Sequence, residues 1–217
     1  MTPARAHLPE HGLYVITPAS AAGAEALIDQ VRQALDGGAV MVQYRAKGRA
    51  TLAEARRLQR LCAEHGAPLI INDDPALALA SGAAGVHLGV DDVPVAEARR
   101  ILGPQAIIGV SCYNRIDRLR AAAAAGADYA ALGAFFPSVT KPHAATAAIE
   151  LLRLARAASA LPVVAIGGVT PENGGALIAA GAHWLAASHG IFESGDIAGA
   201  ARRYRALFHR PSSKGIA

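Results

Sequence analysis

Short runs of β-branched and apolar residues recur along the chain at near-regular intervals. They fall at Leu13–Thr17, Val40–Arg45, Leu69–Asp73, Gly85–Gly89, Ala106–Ser111, Tyr129–Ala134, Val163–Gly167 and Trp184–Ser188. Each run suits a buried β-strand. The stretches between them are rich in Ala, Leu, Arg and Glu and have helical character. Glycine closes most of these stretches, at Gly37-Gly38, Gly66, Gly82, Gly103, Gly126 and Gly181. A helix often stops on a residue with positive φ, which glycine adopts without a Cβ clash. Eight strands, each followed by a helical pattern, predict a single-domain α/β fold of the (β/α)8 TIM-barrel type. An open doubly wound sheet is the alternative. It often carries a glycine fingerprint after its first strand, whereas here that strand leads into Thr17-Pro18-Ala19. The expected layout is an N-terminal extension over residues 1–12, a barrel over 13–209 and a loose tail over 210–217.

Composition narrows the class without changing the fold. The chain has 217 residues, of which 53% are hydrophobic and 18% charged, which suits a compact core and excludes a disordered chain. No apolar run approaches the roughly 20 residues of a membrane helix. The first residues, MTPARAHLPEHG, lack the apolar region of a signal peptide. Cys62 and Cys112 form neither a disulfide framework nor a zinc spacing. A cytoplasmic protein with no membrane partner is the simplest expectation. The net charge of +4 lies largely in arginine pairs on predicted helices, at Arg56-Arg57, Arg99-Arg100 and Arg202-Arg203, a pattern of solvated outer faces. With only 5% aromatic residues, the chain lacks the interleaved basic and aromatic surface of a nucleic-acid binder. Small anionic substrates fit the charge better.

In a barrel of this type the active site lies at the C-terminal ends of the strands. Polar residues collect there: Gln43-Tyr-Arg45-Ala-Lys47, Asn72-Asp73-Asp74, His87 through Asp92, Ser111 through Asn114, Ser138-Val-Thr140-Lys141, Gly167-Gly168 and Ser188-His189. Asp73 and Asp92 follow neighbouring strands, about 5 Å apart, so the two carboxylates are placed to share one ion. Carboxylates without His or Cys partners favour a hard cation such as Mg²⁺, which takes one or two protein carboxylates plus phosphate oxygens. Helix capping is the plainer role, assigned first to Asp74 and Asp91. A paired-carboxylate glycosidase is a rival that leaves the cations across the mouth unexplained.

Those cations are Arg45, Lys47 and Lys141. Gln43, Arg45 and Lys47 share parity, so a continuing strand would aim all three one way. An arginine fork grips phosphate and lysines act as point charges. Ser138, Thr140 and Lys141 form a hydroxyl-rich basic loop suited to oxyanions. Gly167-Gly168 is either a tight turn or a close backbone approach to a second phosphate. His87, inside a strand, reads as a packed and hydrogen-bonded histidine, and Cys112 as structural. No Ser–His–Asp set is present.

The motifs QYRAK, INDD, HLGVDD, GVS, PSVTK and AIGGVTPEN, in this order at these strand ends, resemble the thiamine-phosphate synthase family. The resemblance spans about Leu13 to Phe208. It implies a (β/α)8 barrel that joins 4-amino-2-methyl-5-hydroxymethylpyrimidine diphosphate to 4-methyl-5-(2-hydroxyethyl)thiazole phosphate. Pyrophosphate is released, with CO2 when the thiazole is carboxylated. It further implies that Gln43, Tyr44, Arg45, Ala46, Lys47, Asn72, Ser111 and Lys141 hold the pyrimidine diphosphate. Asp73 and Asp92 would ligate Mg²⁺, and Ser138, Val139, Thr140, Gly168, Ser188 and His189 would hold the thiazole phosphate. Three positions depart from the family pattern. Val90 stands where a polar Gln or Glu is usual, Ser138 replaces Thr, and Ala186-Ala-Ser-His-Gly190 replaces an apolar-then-serine run. One rival shares the fold, a thiazole tautomerase, which needs a histidine near the end of the fifth strand; a rival of another class is a non-catalytic thiamine-phosphate sensor. Ser111-Cys112-Tyr113 supplies no such histidine. The sequence does not give the oligomeric state.

Overall fold

The computed structural model describes residues 7–18, 23–137 and 147–209. Eight parallel strands close into a barrel in sequence order. They are β1 (Gly12–Ile16), β2 (Ala39–Tyr44), β3 (Leu69–Asn72), β4 (Gly85–Leu88), β5 (Ile107–Tyr113), β6 (Tyr129–Gly133), β7 (Val163–Ile166) and β8 (Trp184–Ala187). Between β1 and β8 run α1 (Ala24–Asp36), α2 (Leu52–Glu64), α3 (Pro75–Ser81), α4 (Val95–Leu102), α5 (Ile116–Ala124), α6 (Glu150–Ala158) and α7 (Pro171–Ala180). Two helices follow β8: the single turn α8 (His189–Phe192) and α9 (Ile197–Phe208), which packs on α1 and α7. The barrel fold is thus as the sequence predicts, and the expected tail over 210–217 lies outside the described residues.

Why the strands read as continuous apolar runs is plain from the two cores. Outward-facing residues such as Leu13, Val42, Leu69 and Val86 join the helices in one large cluster. Inward-facing residues such as Tyr14, Met41, Ile70, Ile107, Tyr129 and Trp184 fill the barrel lumen. Both faces are therefore buried and no polar stripe is left to mark alternation. Four aromatic rings meet in the lumen, with Tyr129 edge-on to Tyr14 at 6.1 Å and to Trp184 at 6.0 Å. His87 lies against Tyr129 at 5.5 Å.

Two expectations at element ends are corrected. Strand β2 stops at Tyr44, and Lys47 sits at φ 44°, so the shared parity of Gln43, Arg45 and Lys47 does not carry past the strand. Gly37 is right-handed at φ −76°, and Gly38 takes the positive φ. The arginine pairs also do more than face solvent. Arg99 bonds Asp128 at 2.7 Å and the carbonyls of Ala106 and Gly126, tying α4 to the base of β5 and β6. Arg57 pairs with Glu25 through both oxygens, linking α2 to α1.

Candidate active site at the C-terminal mouth

At the ends of β3 and β4 the three polar residues Asn72-Asp73-Asp74 take separate roles. Asp74 is the N-cap of α3, its side chain accepting from the Leu77 N–H at 2.9 Å, with Pro75 in the first turn. Asp73 is held apart from that helix. Its N–H donates to the carbonyl of His87 at 2.8 Å, and its backbone adopts φ 67°, unusual for a residue with a side chain. The Asn72 amide donates to its carboxylate. The Asp73 carboxyl faces that of Asp92 closely enough for the two to interact directly. Although Asp73 is exposed as a residue, its carboxyl is partly walled in. Desolvation first, and the Asp92 carboxylate second, raise its pKa to about 6, while the Arg45 charge acts in the opposite sense. Two carboxylates forced together in this way form a place for a cation.

Asp92 is anchored by accepting the Gly89 N–H at 2.6 Å. Asp91, expected as a cap, is not one: the N-cap of α4 is Pro94, and no side chain caps that helix. The turn bond belongs to Asp92. Val90, beside it, is 52% exposed. Among the described residues no group of three or more His, Cys, Asp or Glu side chains gathers around one point. The donor set is a carboxylate pair, which fits Mg²⁺ completed by phosphate oxygens and water.

Arg45 is fixed by its backbone. Its N–H donates to Thr17 Oγ1 at 2.8 Å, and the Thr17 hydroxyl donates to its carbonyl at 3.2 Å. Thr17, 2% exposed, thereby clamps the end of β2 to the end of β1. Arg45 and Ala46 are half-buried and Lys47 is exposed. Tyr44 points away from the lumen. Its hydroxyl donates to Glu54 on α2 and accepts from the Thr51 N–H at 3.3 Å, and burial pushes its pKa up to about 12. Gln43 points inward, 3% exposed, and its Nε2 donates to the Tyr14 hydroxyl at 2.9 Å.

His87 is a packed histidine, as the sequence implies. Its Nδ1 lies 2.9 Å from the Tyr129 hydroxyl and its Nε2 2.9 Å from Ser111 Oγ. Burial lowers its pKa to about 4, against a smaller opposite pull from Asp92, so the ring is neutral near pH 7. Cys112 is buried, and burial pushes its thiol up to about 11, so it is no nucleophile.

Across the mouth, Gly167 and Gly168 adopt φ 98° and 60°. A Cβ on Gly168 would stand 2.3 Å from the Pro137 carbonyl oxygen and 2.7 Å from that of Phe136. The pair is therefore required by the close passage of the loop after β6, which also bonds it through Phe136 N–H to the Gly167 carbonyl at 3.0 Å. Asn173 takes the Gly168 carbonyl at 3.0 Å and completes a capping box with Thr170, which explains the VTPEN run. Ser188 is half-buried before α8, and His189 opens that turn, exposed. Ser138, Val139, Thr140 and Lys141 lie outside the described residues.

The mouth thus brings together Gln43, Arg45, Asn72, Asp73, Asp92 and Ser111 on β2 to β5. Three non-glycine residues with positive φ, Lys47, Asp73 and Tyr113, all fall just past or at the ends of these strands. Such strain concentrates at functional sites. Sequence reasoning missed Thr17, Tyr14 and Tyr129. The signal available was parity: a tyrosine facing the lumen needs a partner for its hydroxyl.

Comparison with known proteins agrees with this geometry. A family model described as thiamine monophosphate synthase matches residues 13–191. A thiamine-phosphate synthase from Methylococcus capsulatus is 48% identical over 209 residues, covering 95% of this chain and 93% of the relative. One from Nitrosococcus oceani is 50% identical over 200 residues, covering 91% and 92%. The solved thiamine phosphate pyrophosphorylase from Pyrococcus furiosus superposes with a TM-score of 0.82 at 32% identity, covering 91% of this chain and 95% of that one. A barrel closed in sequence order, polar groups at its C-terminal mouth and likeness over nearly the whole chain lead to one conclusion: the chain belongs to the thiamine monophosphate synthase family.

Proposed function

We propose that this chain is a transferase that joins 4-amino-2-methyl-5-hydroxymethylpyrimidine diphosphate to 4-methyl-5-(2-hydroxyethyl)thiazole phosphate, giving thiamine phosphate and pyrophosphate. The observation that supports it most is the Asp73–Asp92 pair beside Arg45, an anion-and-cation arrangement suited to a metal-bound diphosphate. Asp73 and Asp92 would hold Mg²⁺, which when bound offsets negative charge on the diphosphate oxygens. Arg45 and Lys47, with Lys141 from the loop outside the described residues, would add positive charge to the same oxygens. Gln43, Asn72 and Ser111 supply polar groups between that charge and the lumen.

The pyrimidine methylene–oxygen bond breaks with both electrons leaving on pyrophosphate. The electron-rich ring stabilises the carbocation that remains, and the thiazole nitrogen donates its lone pair to the methylene carbon. When the thiazole carries a carboxylate, CO2 also departs. The protein contributes positioning and fixed charge at the leaving group, which is the larger part of catalysis in such a step. No protein nucleophile is needed, in keeping with the buried Cys112 and neutral His87. Gly168, Ser188 and His189, with Ser138, Val139 and Thr140, would receive the thiazole phosphate on the opposite side of the mouth.

Incubating the chain with both substrates and Mg²⁺ and following thiamine phosphate by chromatography tests the reading. Equal amounts of thiamine phosphate and pyrophosphate are expected. Isomerised thiazole without condensation would identify a tautomerase, and tight thiamine-phosphate binding without turnover a sensor.

A further inference from the structure

Five side chains form an unbroken row across the upper barrel lumen. Gln43 Nε2 meets the Tyr14 hydroxyl at 2.9 Å, and Tyr14 meets the Tyr129 hydroxyl at 2.9 Å. Tyr129 meets His87 Nδ1 at 2.9 Å, and His87 Nε2 meets Ser111 Oγ at 2.9 Å. All but Ser111 are buried, with Tyr14 at 1%, Tyr129 at 0%, Gln43 at 3% and His87 at 7% exposure. Burial takes these groups out of bulk solvent, so each hydroxyl proton finds its acceptor within the row.

The amide end sets the direction. An NH2 group only donates, so Tyr14 receives a proton from Gln43 and must send its own to Tyr129. Tyr129, having accepted, donates to His87 Nδ1. A neutral imidazole that accepts at Nδ1 carries its proton on Nε2. That N–H therefore donates to Ser111 Oγ. Ser111, already accepting, has one proton left, and it stands at the inner edge of the mouth on the same strand face as Gly109.

We propose that Gln43, Tyr14, Tyr129 and His87 are positioning residues forming one directed hydrogen-bond chain, which holds His87 as the Nε2–H tautomer and turns the Ser111 hydroxyl proton toward the bound diphosphate substrate. Ser111 is then a donor to an anionic or lone-pair-bearing atom. This rests on the proposed diphosphate site for the role of Ser111, whereas the tautomer itself is a property of the free protein. The chain is spread over β1, β2, β4, β5 and β6, so a single hydroxyl at the mouth is oriented by five of the eight strands.

Nitrogen NMR of the histidine-labelled protein at pH 7 reads the tautomer directly. His87, identified by its absence in His87→Gln, is expected as the Nε2–H form with Nδ1 unprotonated. Tyr129→Phe retains the ring over Gly109 and removes the hydroxyl, and is expected to shift His87 toward a tautomer mixture. Gln43→Glu offers only an acceptor when ionised and is expected to reverse the chain, giving the Nδ1–H form. A His87 found as Nδ1–H in the parent, or unmoved by Tyr129→Phe, overturns the chain regardless of catalytic activity. Turnover adds the link to Ser111: Tyr129→Phe should lower kcat about fivefold or more, the scale of one weakened hydrogen bond. Combined with Ser111→Ala it should cost no more than Ser111→Ala alone. Independent, multiplying losses would show that Tyr129 acts only as packing and would overturn the positioning role. If the parent lacks synthase activity but shows the expected tautomers, the chain stands and the assigned reaction falls.

Discussion

Arg45 carries the most weight among single residues at the mouth, because its charge acts on Asp73 and its backbone is clamped on both sides by Thr17. Arg45→Ala should weaken binding of the pyrimidine diphosphate by about 1.5–3 kcal/mol, the range for a charge-assisted hydrogen bond. Calorimetric titration of the diphosphate in the presence of Mg²⁺ measures it, and parent-like affinity would remove Arg45 from the site. His189 behaves oppositely. Its side chain is exposed at the start of α8, so His189→Ser should leave the Michaelis constant for thiazole phosphate within about threefold, less than one ordinary hydrogen bond. A tenfold rise would show that the ring itself touches the phosphate. Much at this scale is legible in sequence, since carboxylates, amides and cations at strand ends stand out from apolar runs. The distinction between Asp91 and Asp92 is not, because which of two adjacent carboxylates turns back on the Gly89 N–H is decided by loop geometry. The same limit applies to Tyr44, whose outward direction follows from parity but whose partner Glu54 comes from helix α2.

At the scale of elements, β5 shows how packing sets sequence choice. Gly109 pairs with Tyr129 and His87 across its two neighbours, and a Cβ there would lie 2.0 Å from the Tyr129 ring. The ring cannot shift without leaving both His87 and Tyr14. Gly109→Ala should therefore destabilise the fold by about 1–3 kcal/mol, the usual cost of overpacking a filled core. Chemical denaturation reads it, and an unchanged midpoint would mean that Tyr129 has room to move. Strand order and helix limits are legible because each strand is apolar on both faces and most helices stop on glycine. The directed row from Gln43 to Ser111 was hidden, since its members are far apart in sequence and meet only when the barrel closes. The extra turn α8 was also missed: it is four residues long, too short for any periodic signal.

For the whole molecule, the two ends of the barrel divide the work: the C-terminal mouth carries the charges, and the opposite end carries stability. There His183 Nδ1 accepts the Val163 N–H at 3.1 Å, while its own N–H and carbonyl bond β7 and β1. Partial burial, then the nearby Arg156 charge, lower its pKa below the usual histidine value of about 6.5. A histidine held neutral on folding contributes stability that is full above that value and is lost as pH falls toward the folded pKa. His183→Asn keeps an acceptor and removes the titration, so between pH 7.5 and 5 its unfolding midpoint should fall less than the parent's. Parallel profiles would exclude this role. Among the described residues no helix is long and apolar enough to cross a membrane. The central claim concerns the other end, where Asp73 and Asp92 converge beside Arg45. It is tested most directly by the steady-state rate of thiamine phosphate formation with saturating substrates and Mg²⁺, in the parent and in Asp73→Ala. The parent should form product one-to-one with pyrophosphate and stop when chelator is added, and Asp73→Ala should be slower by about tenfold or more, as expected for lost electrostatic stabilisation. Full activity of Asp73→Ala in the presence of chelator would contradict the account.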